Sequence, residues 1–249
     1  MAGHSKWANI KHRKAAQDAK RGNLFQKLVR AIIIAAKEGG GDPGMNMRLK
    51  AAIEKAKAVS VPSDNITRAI KRGTGEIDGA AYEEIVYEAY GPSGTALLMD
   101  VMTDNRNRTA AEIRALLARN NGSFGEAGSV GWMFERKGVI EVKGEGVDED
   151  SLITCGLDAG MSDMEPSGGG FTLYCDTASL SGLEAALKQN NYLLESAEAE
   201  MVPKTTIKLD DLESAQKVLK LVEVLEDHDD VQNVWANFEI PDELMEKIE

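Results

Sequence analysis

The sequence predicts an α+β protein with an all-helical N-terminal domain, an α+β middle domain and a second α+β domain inserted into the middle one. The first third of the 249 residues places apolar side chains at helical spacing, and the remainder alternates β-rich runs with amphipathic helices. The last helix and strand lack partners for a core of their own. We therefore expect them to complete the sheet of a β-β-α unit that begins near residue 82.

Three helices are expected in the first third. The apolar positions of the first fall between 24 and 36, and three glycines at 39–41 end it. Asp42-Pro43 is typical of the start of a second helix. Ser63 is expected to cap a third, which ends at Gly73. Basic residues on the outer faces of these helices predict a small basic bundle.

The next region reads as a β-β-α unit. Runs at 83–90 and 95–102 are rich in β-forming residues, and "GPSG" between them indicates a hairpin. Thr109 and Glu112 have the spacing of a capping box. The helix that they would open is closed by Asn121-Gly122.

The third region is expected to contain two hairpins, one turning at Lys137-Gly138 and one at 167–170. Between and after them the pattern predicts helices at about 149–159 and 179–190, and a closing strand at 192–203.

A final helix and strand follow. Asp210 and Glu213 suggest a capping box for an amphipathic helix, and the segment 234–240 alternates apolar and polar residues as a half-buried strand does. The expected domains are 1–78, then 79–131 plus 205–249 as one discontinuous domain, and 132–204 as the insertion.

Charge is divided unevenly along the chain, whose net charge is −12. Residues 1–72 hold 16 Lys and Arg against 5 Asp and Glu, a net +11, whereas residues 73–249 hold 13 against 36, a net −23. This asymmetry indicates a polyanionic partner for the basic part. Two cysteines and no long apolar run or signal segment predict a cytoplasmic protein with no membrane partner.

The basic arm at the N-terminus is the first candidate site. Its lysines and arginines are suited to phosphate contacts, and its tryptophan could stack on a base or dock the arm. The alternative is a solvated helix face with the tryptophan in a core. The expected nucleic-acid-binding residues are Lys6, Trp7, Lys11, His12, Arg13, Lys14, Lys20 and Arg21.

The motif "TDNRNRT" at 103–109 is the second candidate. Arg106 and Arg108 flank the start of a helix, where free backbone N–H groups suit anions. The alternative is a capped turn in which the arginines pair with nearby acids. Both interpretations stay open at this point, and both arginines are kept as candidate nucleic-acid contacts.

Other motifs predict no cofactor, metal or catalytic site. The glycine-rich loop at 120–134 has no phosphate-binding signature and is interpreted as a linker. Cys155 and Cys175 lie in apolar-patterned segments and are interpreted as core residues. His228 among the acids at 226–230 could attract a divalent cation, which leaves a metal-dependent hydrolase as a remote alternative. The chain is therefore expected not to be an enzyme.

The opening "MAGHSKWANIKHRKAAQDAKRG", together with "TDNRNRT" and "GSVGWMF", resembles the YebC/PmpR family, whose members include the mitochondrial translational activator of cytochrome c oxidase subunit I. The resemblance covers nearly the whole chain. It implies a helical domain, a ferredoxin-like α+β domain and an inserted α+β domain around a cleft. This chain departs from the family pattern at Asn121-Gly122 and Phe124, where a glycine pair and an aliphatic residue are common.

The resemblance also implies a non-enzymatic regulator of gene expression, and two modes of action stay open. One is a translation factor that binds RNA on the ribosome, which suits a basic arm without base-reading helix spacing. The other is a transcriptional regulator that binds promoter DNA through its phosphates.

Overall fold

The computed structural model describes residues 18–167 and 169–248, and these form two compact units. The first comprises 18–130 and Asp211–Val234, and the second comprises Gly131–Asp210 and 235–248. The α+β class is confirmed, whereas the division into three domains stays a prediction. No helix within the described residues is long and apolar enough to cross a membrane.

The first unit begins with three helices, as predicted. They are α1 (Asp18–Gly39), α2 (Met47–Ala58) and α3 (Ser63–Gly73). Both α2 and α3 pack on α1 around a shared apolar core. The largest buried side chains of that core are Ile32, Ile33, Leu49, Ile53 and Ile66.

Two of these helices begin differently from the prediction. Asn46, and not Asp42-Pro43, caps α2, because its side chain accepts the Leu49 N–H at 3.0 Å. The same amide donates to the Ala35 carbonyl at 2.7 Å, which fixes the chain reversal between α1 and α2. Ser63 is the first residue of α3 and forms no side-chain cap.

The rest of the first unit is a four-stranded sheet with helices. Its strands are β1 (Glu83–Tyr90), β2 (Ala96–Thr103), β3 (Ser123–Phe124) and β9 (Val231–Ala236, of which the residues up to Val234 belong to this unit), in the order β3-β1-β2-β9. A 3₁₀ turn at Pro92–Gly94 joins the antiparallel β1 and β2. The helices are α4 (Arg106–Arg119) and α7 (Leu212–Glu226), which contact each other. The final helix and strand thus complete this sheet, as expected.

Neither predicted capping box forms. Asn105 caps α4 by accepting the Arg108 N–H at 3.1 Å, and Thr109 is buried one turn into the helix. Asp211, and not Asp210, caps α7, since its carboxylate accepts the Ser214 N–H at 2.8 Å. The helices themselves were predicted correctly because their apolar periodicity does not depend on which residue caps them.

The second unit is built on another four-stranded antiparallel sheet. Its strands are β4 (Phe134–Lys143), β5 (Met161–Ser167), β6 (Gly170–Cys175) and β7 (Leu194–Pro203), in the order β5-β6-β4-β7. The helices α5 (Glu149–Asp158) and α6 (Leu180–Gln189) pack on one face, over Ile140 and Leu173. The unit also contains the parallel pair β8 (Ile207–Lys208) and β10 (Phe238–Glu239), and the short helix α8 (Asp242–Ile248).

Two predictions in this unit are wrong. No hairpin turns at Lys137-Gly138, because β4 runs through it without a break. A Cβ added at Gly138 would lie 2.6 Å from the Cys175 sulfur, so this glycine permits close packing and does not mark a turn. The segment 234–240 does not alternate in burial: Trp235 and Asn237 are buried together with their neighbours.

Candidate nucleic-acid interface

The predicted binding arm lies mostly outside the described residues. Six of its residues fall there, namely Lys6, Trp7, Lys11, His12, Arg13 and Lys14. Lys20 and Arg21 belong to the first turn of α1, and the structure describes their backbone only. The assignment of these eight residues to nucleic acid stays a prediction.

A second group of basic residues lies on the outer surface of α2 and α3. Lys50 and Lys57 are seven positions apart, so they project from one side of α2 about 10 Å apart along its axis. Arg68 and Lys71 are one turn apart on α3. All four are exposed, and none forms an ion pair with a carboxylate in the described part of the chain. They therefore leave positive charge facing solvent.

Few acidic side chains offset this charge. Glu54 is the one acid of α2, against four basic residues, and Asp64 is the one acid of α3, against three. The sequence indicated basic outer faces for these helices but did not single out these four residues. These four residues differ from the other basic residues of the helical part in their combination of exposure and ion pairing. Neither property can be deduced from the spacing of residues in the sequence.

Other basic residues of the helical part are used within the fold. The Lys27 ammonium donates to the Glu226 carbonyl at 2.5 Å, and the Arg30 guanidinium donates to the Asp229 carbonyl and lies 3.4 Å from a carboxylate oxygen of Asp230. These contacts attach α1 to the segment between α7 and β9. Positive charge alone therefore does not identify the surface available to a ligand.

Arg108 is likewise engaged by acids of the protein. Its guanidinium lies 2.7 Å from Asp230 and 3.1 Å from Asp104, and Glu112 is 4.0 Å away. These distances match the alternative interpretation of "TDNRNRT", in which its arginines pair with nearby carboxylates. An anionic ligand at Arg108 would have to compete with these groups.

Arg106 occupies a different environment. It is the first residue of α4, its side chain is exposed, and no carboxylate of the described residues forms an ion pair with it. Its backbone carbonyl accepts the Tyr87 hydroxyl at 3.4 Å. Of the two predicted arginines, Arg106 is the one whose charge faces solvent at a helix N-terminus.

Asp230 is the centre of a buried polar junction. It is 2% exposed, and its carboxylate accepts from the Thr109 hydroxyl and the Arg108 guanidinium, each at 2.7 Å. The Thr109 hydroxyl is also 2.7 Å from that of Thr103. Burial by itself would raise the pKa of Asp230, but these hydrogen bonds and the charges of Arg30 and Arg108 hold that pKa below its ordinary value.

The same junction contains a possible set of metal ligands. Glu112, His228 and Asp230 each offer an atom, all within 4.8 Å of one another. However, the Nδ1 atom of His228 accepts the Asp230 N–H at 3.1 Å, so the ring proton sits on Nε2, which faces Glu112 at 3.0 Å. A cation would have to displace these hydrogen bonds beside two guanidinium groups, and the residues therefore fit a hydrogen-bonded junction better than a metal centre.

The glycine-rich loop at 120–134 is held by a carboxylate of the protein. Glu88 accepts the Gly128 and Val130 N–H groups, each at 2.6 Å. These N–H groups are the donors that a phosphate would need. The carboxylate of Glu88 therefore holds the part of the loop at 128–130 in place within the first unit.

Comparison with known proteins identifies the family. The N-terminal domain of TACO1/YebC proteins matches residues 5–76, and the second and third domains of TACO1/YebC match residues 82–238. A "probable transcriptional regulatory protein" of Halothermothrix orenii is 52% identical over 100% of this chain and 99% of its own length. One of Dictyoglomus turgidum is 53% identical over the full length of both chains.

A solved structure is also similar. The crystal structure of a conserved hypothetical protein from Aquifex aeolicus superposes with a TM-score of 0.81 at 43% identity, covering 90% of this chain and 93% of the other. The family models span most of the sequence, and the likeness extends to the fold. The chain belongs to the TACO1/YebC family.

Proposed function

We propose that this protein is a non-enzymatic regulator of gene expression that binds nucleic acid through its basic N-terminal helical part, within residues 1–78. The observation that carries the proposal is the exposed charge of Lys50, Lys57, Arg68 and Lys71 on α2 and α3, which no carboxylate among the described residues pairs with. They belong to residues 1–72, whose net charge is +11 in a chain whose net charge is −12. Such a region attracts the phosphates of a polyanion.

The ligand that we favour is RNA on the ribosome, and the role is that of a translation factor. The exposed basic residues are mainly lysines spread over two helices, an arrangement that contacts phosphates without reading bases. Structured RNA is recognised largely through its shape and backbone. Arg106 would add a contact at the N-terminus of α4, where the positive end of the helix dipole also favours a phosphate.

Promoter DNA is the second candidate ligand. The Halothermothrix orenii and Dictyoglomus turgidum relatives are named probable transcriptional regulatory proteins. Lysines on helix surfaces can also hold a duplex through its phosphates. The two candidate ligands predict different locations of the protein in a fractionated cell extract.

Sedimentation of ribosomes from lysate tests the proposal. We expect the protein to move with the ribosomal fractions and to leave them after mild RNase treatment. Retention on promoter fragments at physiological salt, without ribosome association, would instead support the transcriptional role. A protein found in neither fraction would contradict nucleic-acid binding altogether.

A matched pair of variants makes this test specific. Lys57→Glu with Lys71→Glu reverses two charges on the proposed surface. Lys220→Glu with Lys247→Glu reverses two exposed lysines on α7 and α8. Both variants change the net charge equally, so only a local role predicts that the first loses ribosome association while the second keeps it.

A further inference from the structure

Two methionines project into solvent at the turn between α1 and α2. Met45 is 85% exposed and Met47 is 71% exposed, the highest values among the large apolar side chains that the structure describes. One residue separates them in the chain, so the turn carries an apolar pair and not an isolated exposed side chain. An exposed apolar group of this kind is typical of an interaction surface.

The turn that carries this pair is held in place by hydrogen bonds. Asn46, between the two methionines, is 6% exposed, and its side-chain amide donates to the Ala35 and Gly40 carbonyls at 2.7 and 2.9 Å. The Asp42 carbonyl accepts the Met45 N–H at 3.1 Å. The backbone is therefore fixed, whereas the unbranched thioether side chains can adapt to a surface. Binding at such a turn requires little ordering of the backbone.

Positive charge adjoins the methionine pair on α2. Met47 is the first residue of α2, Lys50 lies about one turn after it, and Lys57 lies about two turns further on the same side. Glu54, between the lysines, is the one acid of this helix. Both lysines are exposed, and neither forms an ion pair with a carboxylate of the described residues. This side of α2 thus begins with an apolar group and continues with cationic groups.

The combination favours a ligand that is anionic and also offers a small apolar surface. Phosphates attract the lysines, and thioethers gain from apolar contact. In nucleic acid the apolar surface is the face of a base, which stacking hides in a continuous duplex and which a bulge or loop of RNA exposes. Methionine is among the side chains that proteins insert beside bases. Two side chains suit one base better than the extended apolar layer of a membrane.

We propose that Met45 and Met47 contact an unstacked base of RNA while Lys50 and Lys57 hold the flanking phosphates. The protein then prefers RNA with a bulge or loop to a continuous duplex. This inference rests on the proposed function and deepens it, because it names the class of RNA that the basic helices bind. The lysines supply affinity for any RNA, and the methionines supply the preference.

Binding to two RNA duplexes tests the preference. The duplexes share one sequence and differ by a single bulged adenosine. We expect the parent protein to bind the bulged duplex about fivefold more tightly. Met45→Gln with Met47→Gln removes the apolar surface without changing charge and should bind both duplexes equally. Its slope of log K against log salt should match that of the parent, because the phosphate contacts remain.

A matched variant controls for the loss of exposed apolar side chains in general. Leu157 and Leu193 are 59% and 66% exposed and belong to the second unit. Leu157→Gln with Leu193→Gln should therefore keep the preference for the bulged duplex. Lys57→Glu with Lys71→Glu should weaken binding to both duplexes by a similar factor, since it removes phosphate contacts and leaves the methionines in place.

Methionine oxidation measures the contact without any substitution. Dilute hydrogen peroxide converts exposed thioethers to sulfoxides, which mass spectrometry locates in the chain. We expect the bulged duplex to slow the oxidation of Met45 and Met47. Met201, half-buried on β7, should react at the same rate with and without RNA. Equal oxidation of Met45 and Met47 in free and RNA-bound protein would refute the contact.

The outcomes separate this inference from the proposed function. If the parent binds both duplexes equally, or if Met45→Gln with Met47→Gln keeps the preference, the contact with a base is refuted and nucleic-acid binding stands. If the parent binds neither duplex, RNA binding and this inference both fail. Loss of binding to phosphatidylglycerol vesicles in the same variant, with its RNA preference intact, would assign the methionines to a membrane and overturn the inference.

Discussion

The guanidinium of Arg108 lies 2.7 Å from a carboxylate oxygen of Asp230, although 122 positions separate the two residues in the chain. This contact joins the start of α4 to the start of β9. Asp230 also accepts from Thr109 and lies 3.4 Å from Arg30 of α1. One buried carboxylate therefore connects the helical part to the sheet of the first unit.

Asp230→Asn is expected to destabilise the first unit. An amide cannot accept from all of these donors and removes the charge that balances two guanidinium groups. The loss should be about 2–3 kcal/mol, since Arg108 stays partly solvated. The midpoint of urea unfolding measures it. Asp229→Asn changes an exposed neighbour and should have little effect. Equal midpoints for the two variants would show that the junction contributes nothing.

The contribution of Asp230 should depend on pH in a defined direction. Its pKa in the folded protein is lowered, so the ionised carboxylate stabilises the fold at pH values above about 3.9, the ordinary pKa of aspartate. That stabilisation is lost as pH falls through the folded value. The difference in unfolding free energy between the parent and Asp230→Asn should therefore be constant from pH 7 to 5 and shrink toward pH 2.5. A difference that grows on acidification would contradict the sign.

Gly73→Ala is expected to disturb the packing of α3 on α1. A Cβ at this position would lie 2.4 Å from the Ile33 carbonyl oxygen and 2.7 Å from the Ala36 Cβ. Relief of these clashes should cost about 1–3 kcal/mol, which thermal unfolding can measure. Gly22→Ala is the control, because its Cβ would meet nothing within 4 Å and alanine favours a helix. Its melting temperature should be unchanged or higher.

The start of α7 can be located by two alanine substitutions. Asp211→Ala should lower the midpoint of thermal unfolding, because it removes the carboxylate that accepts the Ser214 N–H. Asp210→Ala removes only an exposed ion pair with Lys208, which contributes little. The reverse order of the two effects would restore the capping box that the sequence suggested.

The salt dependence of RNA binding should report the phosphate contacts of α2 and α3. The slope of log K against log salt falls by roughly 0.7 to 0.9 for each contact removed. Lys57→Glu with Lys71→Glu should therefore reduce the slope by roughly 1.4 to 1.8, whereas Lys220→Glu with Lys247→Glu should leave it unchanged. Filter binding between 50 and 300 mM salt provides the measurement, and identical slopes would exclude α2 and α3 from the interface.

Sequence alone determined the α+β class, because apolar periodicity is a local property that each segment expresses whatever its neighbours are. It also located the three basic helices, the β1–β2 hairpin, and the final helix and strand that complete the sheet of β1 and β2. It also determined the uneven charge, since charge is fixed by composition. The opening motif was specific enough to indicate the family that the comparisons show.

Only the tertiary structure decided which local sequence patterns correspond to the turns and contacts that form. Lys137-Gly138 has the composition of a turn, but close packing against Cys175 places Gly138 inside a strand. Arg106 and Arg108 look equivalent in "TDNRNRT", yet a carboxylate 122 positions away engages Arg108 and leaves Arg106 facing solvent. Burial, ion pairing and close approach depend on residues distant in the chain, and the fold alone brings those residues together.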